Sequence, residues 1–194
     1  MYIYIILIYK SSCYYIFTEG TVMIIRENTE KIKMIISDFD GIFTDGTGIV
    51  DCDGNVSKRI HFHDVIGIAL AIKAGYKVVI MTGEAAGAVK YLDKKFPELT
   101  VFQDIKDKLP LVMQIAQENN ISKEELLYIG DDVNDYLPLN YAGIKVTVPN
   151  ANQTVKEIKD IRITEKKGGE GVFREVADAL IGSKLGKLLV AGEK

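Results

Sequence analysis

Tryptophan is absent from the 194 residues, cysteine and histidine occur twice each, and proline four times. The two cysteines, Cys13 and Cys52, form no CxxC pair or ligand cluster. A disulfide framework and a thiolate zinc site are therefore excluded, and a reducing, cytoplasmic setting is expected. There is no surplus of positive charge either, with Lys+Arg 24 against Asp+Glu 27 and a formal net charge of -3. No global field exists to hold nucleic acid or an anionic membrane, so an anionic substrate needs a local site. Apolar runs are short: Met1 to Tyr9, MYIYIILIY, falls well below the roughly 20 residues of a spanning helix. It also lacks the basic n-region and the small-residue cleavage site of a secretory signal.

What is present is the balance of a chain that buries a core, 47% hydrophobic and 26% charged, at a length that fits one domain. From Lys33 onward short apolar runs alternate with stretches of helical period, which predicts an α/β fold with a doubly wound parallel sheet. Strands are expected at Met34 to Ser37, Lys77 to Met81, Thr100 to Phe102, Leu126 to Ile129 and Ile144 to Val148. Helices are expected near Asp64 to Ala74, Ala85 to Phe96, Asp107 to Asn119, Asn134 to Tyr141, Gln153 to Lys159 and Val172 to Ile181. Gly48 to Val50 and Val56 to Phe62, joined through Asp51-Cys52-Asp53-Gly54-Asn55, read as a β-hairpin inserted after the first strand. Residues 34–182 form the expected domain and 183–194 a short tail. Residues 1–33 read as an N-terminal extension, of which 1–22 are expected to be dispensable.

In open α/β sheets ligands collect beyond the carboxyl ends of the strands. Three polar clusters stand there: Asp38-Phe39-Asp40-Gly41-Ile42-Phe43-Thr44-Asp45, Thr82-Gly83-Glu84 and Gly130-Asp131-Asp132-Val133-Asn134-Asp135. A single Asp after a strand is an ordinary helix cap, but two acidic clusters crowded into one crevice call for a cation. Asp38, Asp40 and Asp131 suit a hard divalent ion, Mg²⁺, better than zinc. A carboxylate beside a metal can attack phosphorus, and Asp38 is placed to do so. Asp40, two residues on, can protonate the leaving oxygen and later activate water. Thr82 and the backbone at Gly83 can hold phosphoryl oxygens. Lys108 is the best candidate for the missing cation, with Lys106 as the fallback. His61 and His63 fall on one strand face and, without a third ligand, read as a polar hairpin surface.

These motifs, in this order and spacing, resemble the four motifs of the haloacid dehalogenase superfamily of phosphohydrolases. The form with a short hairpin and no inserted cap domain is similar to its capless branch of sugar-acid phosphatases, which act on 3-deoxy-octulosonate 8-phosphate or 9-carbon nonulosonate 9-phosphates. The resemblance implies a Rossmann-like fold, Asp38 as nucleophile, Asp40 as acid/base, and Thr82, Gly83 and Lys108 on phosphate. It implies Mg²⁺ held by Asp38, Asp40 and Asp131, with Asp132 and Asp135 in support and Asp135 counted among the metal residues. It also implies a phosphorylated sugar-acid substrate and a homotetramer. Octulosonate phosphatases usually have Arg where Glu84 stands and Arg-Asp-Gly where His63-Asp64-Val65 stands. Glu84 and Lys95 are similar to the nonulosonate enzymes, so a nonulosonate 9-phosphate is the favoured substrate, with octulosonate 8-phosphate as the alternative. Glu84, Lys95 and Asp64 are the expected substrate-binding residues. A receiver domain fits less well, because its phospho-accepting Asp follows a later strand. A catalytically silent binding protein is disfavoured by the intact Asp38, Asp40, Lys108 and Asp131.

Overall fold

The computed structural model describes residues 29–85 and 87–182. The expected extension up to residue 28 and the tail from residue 183 lie outside these residues. No helix among the described residues is long and apolar enough to cross a membrane.

Six strands form one parallel sheet. The central strand β1 (Met34–Ser37) is buried along its whole length, as is β6 (Leu126–Ile129). Such runs belong in the middle of a sheet covered on both faces, where each Ile or Leu side chain contributes about 1.5–3 kcal/mol by leaving water. On one side of β1 lie β4 (Lys77–Met81) and the edge strand β5 (Thr100–Phe102). On the other lie β6, β7 (Ile144–Thr147) and β8 (Arg162–Ile163). The order reverses at β1, which opens a crevice beyond its carboxyl end. The folded unit starts ahead of residue 34. Thr29–Lys31 form a 3₁₀ turn, Ile32 is buried in the core, and the Lys33 N–H donates to the Glu125 carbonyl.

The helices are α1 (Phe62–Lys73), α2 (Gly87–Lys95), α3 (Lys108–Glu118), α4 (Tyr136–Tyr141), α5 (Gln153–Lys156) and α6 (Val172–Ile181). All six expected helices are present: α6 has the expected bounds, α1 begins two residues earlier at Phe62, and α2, α3, α4 and α5 are shorter by one to three residues at an end. The hairpin is shorter than expected: β2 (Ile49–Val50) pairs antiparallel with β3 (Val56–Ser57) and the ladder stops there. His61 ends the extended stretch because its Nδ1 accepts the His63 N–H at 3.2 Å and caps α1. Phe62 and His63 are thus helical, and the two histidines do not share a strand face. Their rings meet edge to face at 4.7 Å between centroids. Strand β8 was not anticipated; two residues carry too little periodicity to be read.

Candidate active site

At the end of β1 the Asp38 N–H donates to the Ile129 carbonyl, continuing the sheet by one bond. The chain then turns sharply, with Gly41 at φ +76°. A Cβ at Gly41 would lie 1.9 Å from Asp131 Oδ2, so only glycine lets the β6 carboxylate approach this loop. Gly130 does the same for Asp135, whose carboxyl carbon would stand 2.4 Å from a Cβ there. The glycines of both motifs therefore exist to let carboxylates close in.

Lys108, the first residue of α3, is completely buried between the Asp38 and Asp135 carboxylates. Its Nζ lies 2.9 Å from Asp38 Oδ1 and 2.7 Å from Asp135 Oδ1. Asp135 Oδ1 also accepts the Tyr128 hydroxyl at 2.8 Å, and its Oδ2 accepts the Asp131 and Asp132 N–H groups at 3.1 and 3.3 Å. Asp135 is thus the organiser of the loop. Asp38 Oδ1 accepts the Phe39 N–H at 2.7 Å as well. Lys106, the fallback cation, is exposed and donates to the Gly83 carbonyl at 2.6 Å, away from the Asp38 and Asp135 carboxylates.

The cluster carries more negative charge than one ammonium offsets. Burial first, and then the Asp135 charge, raise the Asp38 carboxyl well above the usual range in spite of Lys108. Burial, then Asp135 and Asp132, push Asp131 up to about 7. Burial pulls Lys108 down, but Asp135 and Asp38 outweigh it and hold the ammonium above its ordinary value. Asp38, Asp131 and Asp135 each offer an oxygen within 4.8 Å of the others. An all-oxygen set of this charge fits Mg²⁺, whose two positive charges with that of Lys108 would balance three carboxylates.

Thr82 is buried at the end of β4, and its Oγ1 accepts the Glu84 N–H at 3.3 Å. Its backbone is pinned from both directions: the N–H donates to the Phe102 carbonyl, and the carbonyl accepts the Ile105 N–H. The Asp40 side chain stands outside the carboxylate cluster. Its Oδ1 accepts the Thr44 hydroxyl at 3.3 Å and its Oδ2 is 2.7 Å from Lys58 Nζ. Lys58 also reaches Glu84 Oε2 at 3.2 Å. Lys58 escaped the sequence reading, because Ser57-Lys58-Arg59 looks like an exposed hairpin run. The available signal was its position where the hairpin returns toward two acidic motifs.

Two expected substrate residues are placed elsewhere. Asp64 is completely buried, and its Oδ1 accepts the Arg174 N–H at 2.9 Å, so it caps the first turn of α6 rather than facing a ligand. Lys95 ends α2, about 12 Å of helix rise from Gly87, and its Nζ lies near the Tyr91 and Phe96 rings. Within one chain it does not meet Glu84. The loop before α6 packs on the site from behind: the Gly169 N–H donates to the Ile42 carbonyl, and the Gly168 N–H to Asn150 Oδ1.

Residues 95–176 match the family model of haloacid dehalogenase-like hydrolases. The chain is 30% identical over 152 residues to the 3-deoxy-D-manno-octulosonate 8-phosphate phosphatase of Escherichia coli K12, covering 78% of this chain and 80% of that protein. The crystal structure of the Moraxella catarrhalis 3-deoxy-D-manno-octulosonate 8-phosphate phosphatase, in complex with magnesium, phosphate and KDO, superposes with a TM-score of 0.79 at 27% identity. That match covers 85% of this chain and 95% of that one. The cobalt-bound Haemophilus influenzae deoxy-D-mannose-octulosonate 8-phosphate phosphatase gives a TM-score of 0.76 at 27% identity, covering 86% and 96%. The chain belongs to the haloacid dehalogenase-like hydrolases. Within them it is a phosphoric monoester hydrolase.

Proposed function

We propose that the protein is a Mg²⁺-dependent, cytoplasmic 3-deoxy-octulosonate 8-phosphate phosphatase that works through an aspartyl-phosphate on Asp38. The observation that carries the chemistry is the buried Lys108 ammonium clamped between Asp38 and Asp135, with Asp131 against the same loop. Both donors to Asp38 fall on Oδ1, which leaves Oδ2 as the attacking oxygen. Asp38 Oδ2 forms a bond to phosphorus as the bond to the sugar oxygen breaks. Asp40 gives that oxygen its proton. Asp40 then takes a proton from water as the water oxygen bonds to phosphorus and the bond to Asp38 breaks, releasing phosphate. Lys108, the Thr82 hydroxyl and the backbone at Gly83 hold the phosphoryl oxygens on which charge builds up. Asp38, Asp131, Asp135 and the Asp40 carbonyl would hold Mg²⁺, whose charge would offset the carboxylate repulsion and favour binding of the phosphate.

The 8-carbon substrate replaces the expected preference for a nonulosonate 9-phosphate. That preference rested on Glu84 and Lys95, yet Glu84 is engaged by Lys58, and Lys95 sits at the other end of α2. The relatives named above, which cover from 78% to 86% of the chain, are phosphatases of the octulosonate ester. A tetramer that closes each site with a neighbour's surface fits the apolar residues exposed on the hairpin and the start of α1. Ile49 is 75% exposed, Val50 64% and Phe62 67%. Steady-state phosphate release from octulosonate 8-phosphate and from a nonulosonate 9-phosphate, measured side by side, tests the assignment. A higher kcat/KM on the 8-phosphate is expected, and the reverse order would overturn it.

A further inference from the structure

We infer that Lys58 is a positioning residue for the acid/base carboxylate, holding Asp40 in its proton-donating orientation from the foot of the hairpin. The inference rests on Asp40 acting as the acid in the phosphatase reaction above. Lys58 directly follows β3, and its side chain is only 11% exposed, whereas the next residue, Arg59, is 82% exposed and reaches Asp45 at 3.3 Å on the outside. A lysine turned inward to this degree needs a partner. It has two, Asp40 at 2.7 Å and Glu84 at 3.2 Å, from the loops after β1 and β4.

The Asp40 carboxyl is otherwise held loosely. Among the described residues its second oxygen has the 3.3 Å hydrogen bond from Thr44 alone, and its side chain is 31% exposed. A short bond between charged groups is about twice as strong as a neutral one, so Lys58 is the stronger of the two restraints on that carboxyl. Glu84 steadies Lys58 in turn, which links the hairpin, the nucleophile loop and the Thr82 loop through one ammonium. Removing it frees the carboxyl to rotate, and a displacement of about 1 Å at a reacting group can lower a rate by roughly a hundredfold.

Proton donation matters when the leaving oxygen is a poor one, and this separates positioning of the acid from general damage. Phenyl phosphate needs the proton more than p-nitrophenyl phosphate does, since nitrophenolate leaves readily without it. In Lys58→Met, kcat/KM, which reads the step that breaks the ester bond, should fall roughly tenfold more on phenyl phosphate than on p-nitrophenyl phosphate. Partial misfolding would lower both rates alike and leave their ratio unchanged. In an Asp40→Asn background, adding Lys58→Met should leave that ratio where Asp40→Asn alone puts it, because both changes remove the same function. Equal losses on the two esters in Lys58→Met, or a further change of the ratio in the double variant, would overturn the role of Lys58 while the acid role of Asp40 stands. If Asp40→Asn itself loses equally on both esters, the acid assignment fails, and the inference with it.

Discussion

Lys108→Met is the perturbation whose consequences the structure specifies most fully. Methionine nearly matches the length of the lysine stem, so the change removes the charge with little loss of packing. What remains is Asp38 and Asp135, each having lost a partner at 2.9 or 2.7 Å, with Asp131 beside them. Breaking a buried pair by deleting one member costs about 3–5 kcal/mol, because the other charge is stranded away from water. Asp38 can take up a proton and recover part of that, so a loss near the lower figure, about 3 kcal/mol, is expected in the metal-free protein. With a urea slope of roughly 1–3 kcal/mol per molar, the unfolding midpoint in EDTA should fall by about 1–3 M. Mg²⁺ should narrow the gap, because a site with one less positive charge draws the ion more strongly. The same variant should lose roughly 10²–10³-fold in kcat, the usual effect of deleting one group that stabilises developing charge. Urea unfolding followed by circular dichroism, with and without Mg²⁺, checks the stability claim. A variant as stable as wild type in EDTA would refute the account of Lys108 as the counter-charge of the cluster.

Asp64 supplies a pH test, since burial raises its carboxyl from 3.8 to about 7 while the N–H groups of Arg174 and Phe173 pull the other way. Its Oδ2 has no hydrogen-bond partner among the described residues, which favours the protonated form. Between those values the folded state holds a proton that the unfolded chain has released, so stability falls as pH rises through that window. Asp64→Asn should flatten the decline from pH 5 to pH 8 by about 2–3 kcal/mol in urea titrations, and an unchanged slope would show that Asp64 is not its source. Gly41→Ala should lower Mg²⁺ affinity at least tenfold in calorimetry, because its methyl group would displace Asp131; wild-type affinity would mean that the two loops need not approach so closely. Asp135→Asn should weaken both Mg²⁺ binding and turnover, since the amide cannot answer the charge of Lys108; kinetics equal to wild type would contradict its organising role.

Much of this arrangement was legible in the sequence, for physical reasons. Strands buried on both faces are continuous apolar runs; Met34–Ser37 is followed by Asp38, and Leu126–Ile129 by Gly130 and then Asp131 and Asp132, acidic residues that no core could hold without a cation. Lys108 could be nominated but not distinguished from Lys106 by local pattern, because what separates them is burial against Asp38 and Asp135. Contacts between distant segments were hidden. Asp64 caps a helix 110 residues further on, and Lys58 reaches carboxylates 18 and 26 residues away. Both read as surface or ligand-facing polar groups until the α1–α6 packing and the hairpin's return path are known. The hairpin was overextended for a related reason: the alternation through His61 continues past Ser57, and the capping of α1 by His61 overrides it.

The central claim is that Asp38 bonds to phosphorus in a Mg²⁺-dependent hydrolysis. The most direct measurement is phosphate release from 3-deoxy-octulosonate 8-phosphate by wild-type protein and by Asp38→Asn, each with Mg²⁺ and with EDTA, and with folding checked by circular dichroism. The account predicts turnover by the wild-type protein only with Mg²⁺, and none by a folded Asp38→Asn. Retained turnover by that variant, or wild-type turnover that ignores EDTA, would contradict it.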